Sequence, residues 1–362
     1  WALILPLAIP PYILAYTFTG LFDSFGDANN AVRYLFNLNP DVSVFPNVRN
    51  IYGAILVFGF TLYPYVYLVC RSSFINQSKS MKEAGRLLGL NQFHLFLKLG
   101  IPLIRPALIG GLMLVVMETL SDFGAVDHFA VQTFTTGIFR TWYGLYDIQT
   151  AMQLASLLLV TIGVFYLIER NSRVGIYSAN NAKFAPNSES DLLGYKGFLA
   201  FMICFIPLFV GFLLPLIELL LWAFEVNLEF FSSKFLENAF NTFMLSLGTG
   251  LICAALALCI NYSIRIDSGI FLKRMSSMLS IGYAVPGLIL AVGMVQLFIY
   301  LDTYTSGINL ILTGSIFGLL TAYVIKTYAL ANSSIESGYE RISFSIDDSS
   351  KLLGTTGWNM LW

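Results

Sequence analysis

Eight times along this chain a predominantly apolar run of about membrane-spanning length recurs, at 1–20, 51–70, 101–121, 150–169, 197–224, 239–262, 278–300 and 308–330. A helix of about 20 such residues crosses the hydrocarbon core of a bilayer. Hydrocarbon offers no partner to a backbone N–H or C=O, so a spanning segment must satisfy its own peptide groups, as a helix does. The runs therefore predict an all-α polytopic membrane protein with eight visible spans. Composition agrees: 57% of residues are hydrophobic and 11% are charged, against about 25% charged in a soluble domain. A net charge of −1 argues against a nucleic-acid partner, which needs a clustered basic face. Cys70, Cys204, Cys253 and Cys259 lie in or beside apolar runs with no C-x-x-C pair and read as small buried hydrophobes. No metal site is assigned.

Lys and Arg in the connecting segments set orientation. Segments 71–98, 170–196, 263–276 and 331–362 carry five, four, three and two, whereas the alternate segments 21–50, 122–149, 225–238 and 301–307 carry two, one, one and none. The richer set is assigned to the cytoplasm, which places both ends of the chain there. Arg105 and Lys326 are expected near the cytoplasmic ends of spans, where they can snorkel. Trp1 opens the first run with no cationic leader or cleavage site, so it does not read as a signal peptide; with no initiator Met, the chain is expected to start inside a longer protein.

The text repeats. "AIPPYILA" (8–15) matches "AVPGLILA" (284–291), and "SMKEAGRLLG" (80–89) matches "SIDDSSKLLG" (345–354), in the same order. The second match lies in polar sequence, where chance similarity of apolar text is no explanation. The chain is divided accordingly into residues 1–169, the end of one half; a cationic linker, 170–196; and residues 197–362, the start of a second half. Two similar halves in a membrane usually meet around a central pathway.

The stretch "MKEAGRLLGLNQFHLFLKLGIP" (81–102) joins helix formers, a break at Gly89, a second helical run and Pro102. The result is an elbow with an apolar side and a wet side carrying Glu83, Arg86 and Lys98. On physical grounds it could lie on a membrane surface or enter a groove of a partner protein. Its spacing, Glu83-Ala84-Gly85, three residues, Gly89, nine residues, then Leu99-Gly100-Ile101-Pro102, resembles the E-A-A signature loop of ABC importer permeases. Gly85 replaces the third alanine. The resemblance implies binding-protein-dependent (MetI-like) permease halves whose loops form coupling helices on a cytoplasmic ATPase, with Glu83 and Gly89 as docking residues. The second copy keeps Gly354 and offers Asp348 for the glutamate.

The stretch "VVMETLSDFGAVDHFAVQTFTTGIFRTWYG" (115–144), together with "YPYVYL" (63–68) and "IESGYERI" (335–342), resembles bacterial ferric iron (Fe3+) permeases with two fused halves. The resemblance implies a multi-pass protein of the bacterial inner (plasma) membrane, a cytoplasmic ABC ATPase dimer that consumes ATP, a periplasmic ferric-iron-binding protein, and no cofactor on this chain. A fused thiamine permease shares the architecture. An ion-coupled secondary transporter would need ionisable groups in mid-span. Glu118 and Asp122, four apart, would share a helix face and, with Asp127 and Tyr143 nearby, could offer hard oxygen ligands to a passing cation; the same groups could instead cap the helix end or touch the delivering protein. Glu218 is a further candidate. His94 and His128 fall on opposite sides of the membrane and cannot share a metal; His94 reads as an interface residue and His128 as a loop residue. No phosphate-cradling G-x-x-x-x-G-K-[ST], G-x-S-x-G or H-E-x-x-H occurs, so nothing in the sequence supports catalysis by the chain itself.

Overall fold

The computed structural model describes residues 1–39, 41–75, 77, 79–173, 194–225, 232–266, 270–305, 311–340 and 342–354. Most of the linker at 170–196 and the end of the second loop, 355–362, lie outside the described residues. Two compact units form, Trp1–Leu228 and Glu229–Trp362. Every regular element among the described residues is helical.

The first unit begins with a 3-10 turn, Ala2–Ala8, followed by α1 (Pro11–Phe22), α2 (Asp27–Phe36), α3 (Ile51–Ile75), α4 (Lys79–Leu87), α5 (Gln92–Leu95), α6 (Ile101–Ser121), α7 (Gly124–His128), α8 (Phe134–Phe139), α9 (Ile148–Arg173), α10 (Tyr195–Leu208) and α11 (Leu214–Glu225). Single π turns, Phe96–Gly100 and Phe209–Leu213, splice α5 to α6 and α10 to α11 into continuous rods. The second unit holds α12 (Ser233–Ile266), α13 (Ile270–Ser280), a 3-10 turn Ile281–Ala284, α14 (Gly287–Thr305), α15 (Ile316–Glu340) and α16 (Phe344–Leu352).

Among the described residues six helices are long and apolar enough to cross a membrane: Ile51–Ile75, Gln92–Ser121, Ile148–Phe165, Tyr195–Glu225, Ser233–Ile266 and Gly287–Tyr304. A seventh is possible if the pair Ala2–Ala8 and Pro11–Phe36, bent by 92°, counts as one. The expectation of eight is corrected in two places. The first run is bent at the Ile9-Pro10 step. The eighth run, 308–330, begins outside the described residues, and its described part falls on α15, which carries Lys326 and is not among the six. Of the cysteines only Cys253 is buried; Cys204 and Cys259 are exposed.

In the first unit Leu14, Ala15 and Phe18 of α1 pack on Ala54, Val57, Phe58 and Leu62 of α3 and on Val126 and Phe129 at α7. Burying such side chains contributes about 1.5–3 kcal/mol each. Many large apolar groups remain outside, among them Phe201, Ile203 and Ile206 on α10, a surface that needs a lipid or protein cover.

The sequence repeat is a structural one. Each 3-10 turn ends in an extended residue before proline: Ile9 at φ −101°, ψ 114°, and Val285 at φ −74°, ψ 125°. Ile9 N–H donates to Pro6 C=O at 3.2 Å and Val285 N–H to Gly282 C=O at 3.3 Å; Leu14 N–H reaches Pro10 and Leu290 N–H reaches Pro286. In the second unit the break is also braced from α15, where Lys326 Nζ donates to Tyr283 C=O at 3.0 Å and Val285 C=O at 2.8 Å. Lys326 therefore sits in the middle of α15, holding a helix break, and not at a span end as expected.

Beyond that break a buried polar hub joins three helices. Asn332 Oδ1 of α15 accepts from Asn261 Nδ2 of α12 at 2.8 Å, from Tyr328 OH at 3.2 Å and from Ser276 Oγ of α13 at 3.4 Å. Replacing the acceptor leaves buried donors unmatched, which costs about 1–2 kcal/mol in a membrane protein. Asn332→Leu is accordingly expected to lower the midpoint of thermal unfolding in detergent, and Ser333→Ala, on the exposed side, to leave it unchanged.

Candidate functional site

Among the described residues the two loops share one kind of helix stop. In the first, α4 ends at Leu87; Leu88 N–H returns to Ala84 C=O at 3.1 Å, Gly89 N–H to Arg86 C=O at 2.9 Å and Leu90 N–H to Gly85 C=O at 3.1 Å. Gly89 closes this helix stop at φ 81°. In the second, Leu353 N–H returns to Ser349 C=O at 3.1 Å and Gly354 stands at φ 85°. A residue with a Cβ pays about 1–2 kcal/mol in that left-handed region, which is why glycine holds both positions. Each stop pushes a leucine pair outward: Leu87 and Leu88 are 89% and 81% exposed, Leu352 and Leu353 89% and 85%.

Glu83 and Ala84 are exposed beside the first pair and Gly85 is buried. A Cβ on Gly85 would lie 2.9 Å from Leu99 Cδ1 and 3.3 Å from Leu95 Cδ1, so glycine in place of the third alanine lets α4 close against the next helical segment. Asn91 caps that segment by accepting from His94 N–H at 2.8 Å, and His94 is exposed on it. Phe74 stacks on Phe96 with centroids 6.1 Å apart. Pro102 occupies the first turn of α6. The backbone of Asp348 is helical within α16.

The structure separates the residues expected as oxygen ligands. α6 stops at Ser121, and Asp122 is extended at ψ 137°; it does not continue the helix face of Glu118, which lies half-buried in α6. Asp122 Oδ1 accepts from Ala125 N–H at 2.9 Å and Val126 N–H at 3.3 Å, capping α7. Burial raises the Asp122 carboxyl and those two N–H groups pull it back. Asp127 pairs with Arg140 at 3.7 Å, an exposed contact worth about 0–1 kcal/mol. Tyr143 is exposed and stacks on Phe139 at 5.2 Å. Among the described residues no group of three or more His, Cys, Asp or Glu side chains is placed to hold a metal ion.

His128 does more than fill a loop. Its Nε2 is 2.7 Å from Thr19 Oγ1 of α1, and its ring meets Tyr16 edge-on at 5.9 Å. Glu218 of α11 is buried with its Oε1 lacking a partner, and the Asp27 carboxyl lies within hydrogen-bonding reach of the side chain. The roles of two further charged groups escaped sequence reading. Lys326 holds the break at Tyr283–Val285, and Arg265 of α12 binds Asp347 of α16 at 2.6 Å. A charge inside or at the end of an apolar helix was the available signal; the partner, remote in sequence, was not.

Residues 1–171 match the family model of the binding-protein-dependent transport system inner membrane component. Over 98% of its length the chain is 24% identical to an Fe(3+)-transport system permease protein, FbpB 2, of Haemophilus influenzae, and it spans 65% of that protein. A putative molybdenum transport system permease protein, YvgM, of Bacillus subtilis is 23% identical over 37% of this chain and 59% of its own. The maltose/maltodextrin transport system permease protein MalF of Salmonella typhimurium is 33% identical over 28% of this chain and 20% of its own. No solved structure matches.

Burial, then Arg49, hold His128 below its ordinary 6.5, while Asp127 opposes them. A histidine that resists protonation when folded contributes stability that is present above the unfolded value and lost as pH falls through the lowered one. The unfolding midpoint is therefore expected to be level above pH 6.5 and to fall below it, and His128→Gln to flatten that fall.

Proposed function

We infer that this chain, whose residues 1–171 match the family model of the binding-protein-dependent transport system inner membrane component, works as the membrane-spanning permease of an ATP-binding-cassette importer for ferric iron. The observation that carries the reading is the pair of glycine-stopped elbows, each exposing two leucines in a chain otherwise made to sit in lipid. Burying one such leucine on a partner contributes about 1.5–3 kcal/mol, at least tenfold in affinity. Glu83, Ala84, Gly85, Gly89 and Pro102 make the first grip, and Asp348 and Gly354 belong to the second. Both face the cytoplasm in this reading, where the partner is an ABC ATPase dimer that uses ATP; the chain binds no cofactor itself. In this reading the first half is 1–169 and the second begins at 197, with 170–196 as the segment between them.

The mechanism is alternating access. ATP binding closes the ATPase dimer, the elbows carry that motion to the spans, and the pathway opens towards a loaded ferric-iron-binding protein in the periplasm; hydrolysis resets it. Such coupling requires the ATPase to favour one global state over the other. Identity over 98% of the chain to an Fe(3+) permease supports iron. Glu118, Asp122, Asp127 and Tyr143 flank the route at the far end of α6, where Asp122 positions α7 and is no free ligand.

A second reading, ion-coupled secondary transport, draws on one observation: the buried, partnerless Glu218 oxygen beside Asp27. Leu88→Asp or Gly89→Val is expected to reduce co-purification of the ATPase at least tenfold while the protein still inserts; retained co-purification would contradict docking there. Cells carrying the chain are expected to accumulate radiolabelled ferric iron over molybdate, maltose or thiamine. Uptake that a proton ionophore abolishes at constant ATP would favour the second reading.

A further inference from the structure

Arg265 lies in the last turn of α12, and its side chain is 8% exposed. Nε donates to Asp347 Oδ2 at 2.6 Å, Nη1 to Tyr339 C=O at 2.8 Å, and Nη2 to Ile342 C=O at 3.0 Å and Ser343 C=O at 3.4 Å. The guanidinium carbon stands 5.6 Å from the centroid of the Tyr339 ring. One side chain thus fastens the end of α15, the turn that follows it and the first turn of α16. Asp347 itself lies in the N-terminal turn of α16, where a carboxylate also favours the helix dipole.

The bond is of a strong kind. Charge-assisted contacts of guanidinium with carboxylate fix direction as well as distance, and taking one partner from a buried pair strands the other charge. A second attachment lies further along the same two helices: Asn261 Nδ2 donates to Asn332 Oδ1 at 2.8 Å, and Cys253 and Ala257 of α12 pack on Tyr328 of α15. With two separate attachments α12 and α15 cannot pivot independently, and Arg265 ties α16 to both. The first elbow is held differently, through Gly85 against Leu95 and Leu99 and through the Phe74–Phe96 stack, contacts that permit sliding.

We propose that Arg265 is a positioning residue for energy coupling: it welds the second elbow to α12, so that force on Leu352 and Leu353 moves α12 and α15 as one body and does not spend itself bending the turn at 342–343. This rests on the permease reading above. The sequence hides it, because Arg265 and Asp347 are far apart and Arg265 lies outside the signature loop.

The test uses the whole transporter in liposomes with its ATPase and binding protein, and reads radiolabelled ferric iron moved per ATP hydrolysed. Arg265→Ala is expected to lower that ratio about tenfold, within the range of coupling effects, with the ATPase still co-purifying. Arg265→Lys is expected to recover it only in part, because one ammonium cannot serve a carboxylate and three carbonyls in a planar fork. Spin labels at positions 263 and 352 are expected to give a narrow distance distribution in the wild type and a broad one in Arg265→Ala. An unchanged ratio with an unchanged distribution would overturn the proposal, as would a fall in uptake that follows only the amount of folded protein. If Arg265→Ala does not fold, Arg265→Lys carries both readouts. A wild-type chain that binds no ATPase would remove the permease reading itself; a coupled wild type with an indifferent Arg265→Ala would remove only this inference.

Discussion

A peptide group that enters hydrocarbon leaves its water behind and must find its partner in the chain, and this governs where the protein can bend. Long helices fill most of both units, and the departures from them are few and braced. The extended residues Ile9 and Val285 interrupt two helices at equivalent places, each before a proline. At the second, the freed carbonyls of Tyr283 and Val285 are taken by Lys326. At the first, Pro6 is buried and Gly211 of the Tyr195–Glu225 rod comes so close that a Cβ there would sit 3.2 Å from Pro6 Cβ. Each break thus has protein groups set against it.

The elbows obey the opposite condition. Gly89 and Gly354 stop their helices in left-handed conformations and leave leucines uncovered, which suits a surface that meets water or a partner. Each unit carries one such stop beside long apolar helices. Among the described residues, apolar contacts of Gly85 and Phe96 hold the first elbow, and the Arg265 guanidinium holds the second.

What could be read from the sequence follows from the range of the forces involved. The elbow spacing and the Pro-containing repeat are local patterns, and the structure reproduces them down to hydrogen bonds in the same register. The span count was less secure, because apolarity alone does not register a bend at Ile9-Pro10. Glu118 and Asp122 looked like neighbours on one face because a helix was assumed to run through both; it stops at Ser121, and Asp122 spends its oxygen on α7. The roles of Lys326, Asn332 and Arg265 depend on partners tens of residues away or more. A sequence shows that a charge is present in apolar text, and only the fold shows what it holds.

The central claim is that the two elbows are the grips of an ATP-driven partner. Photo-crosslinking residues placed one at a time at positions 88 and 353, in cells making the complete transporter, test it most directly. The account predicts that both positions capture the same nucleotide-binding subunit, identified by its phosphate-loop peptide, with a yield that changes when ATP is trapped unhydrolysed. Capture of lipid alone at both positions, or of a periplasmic protein at either, would contradict it.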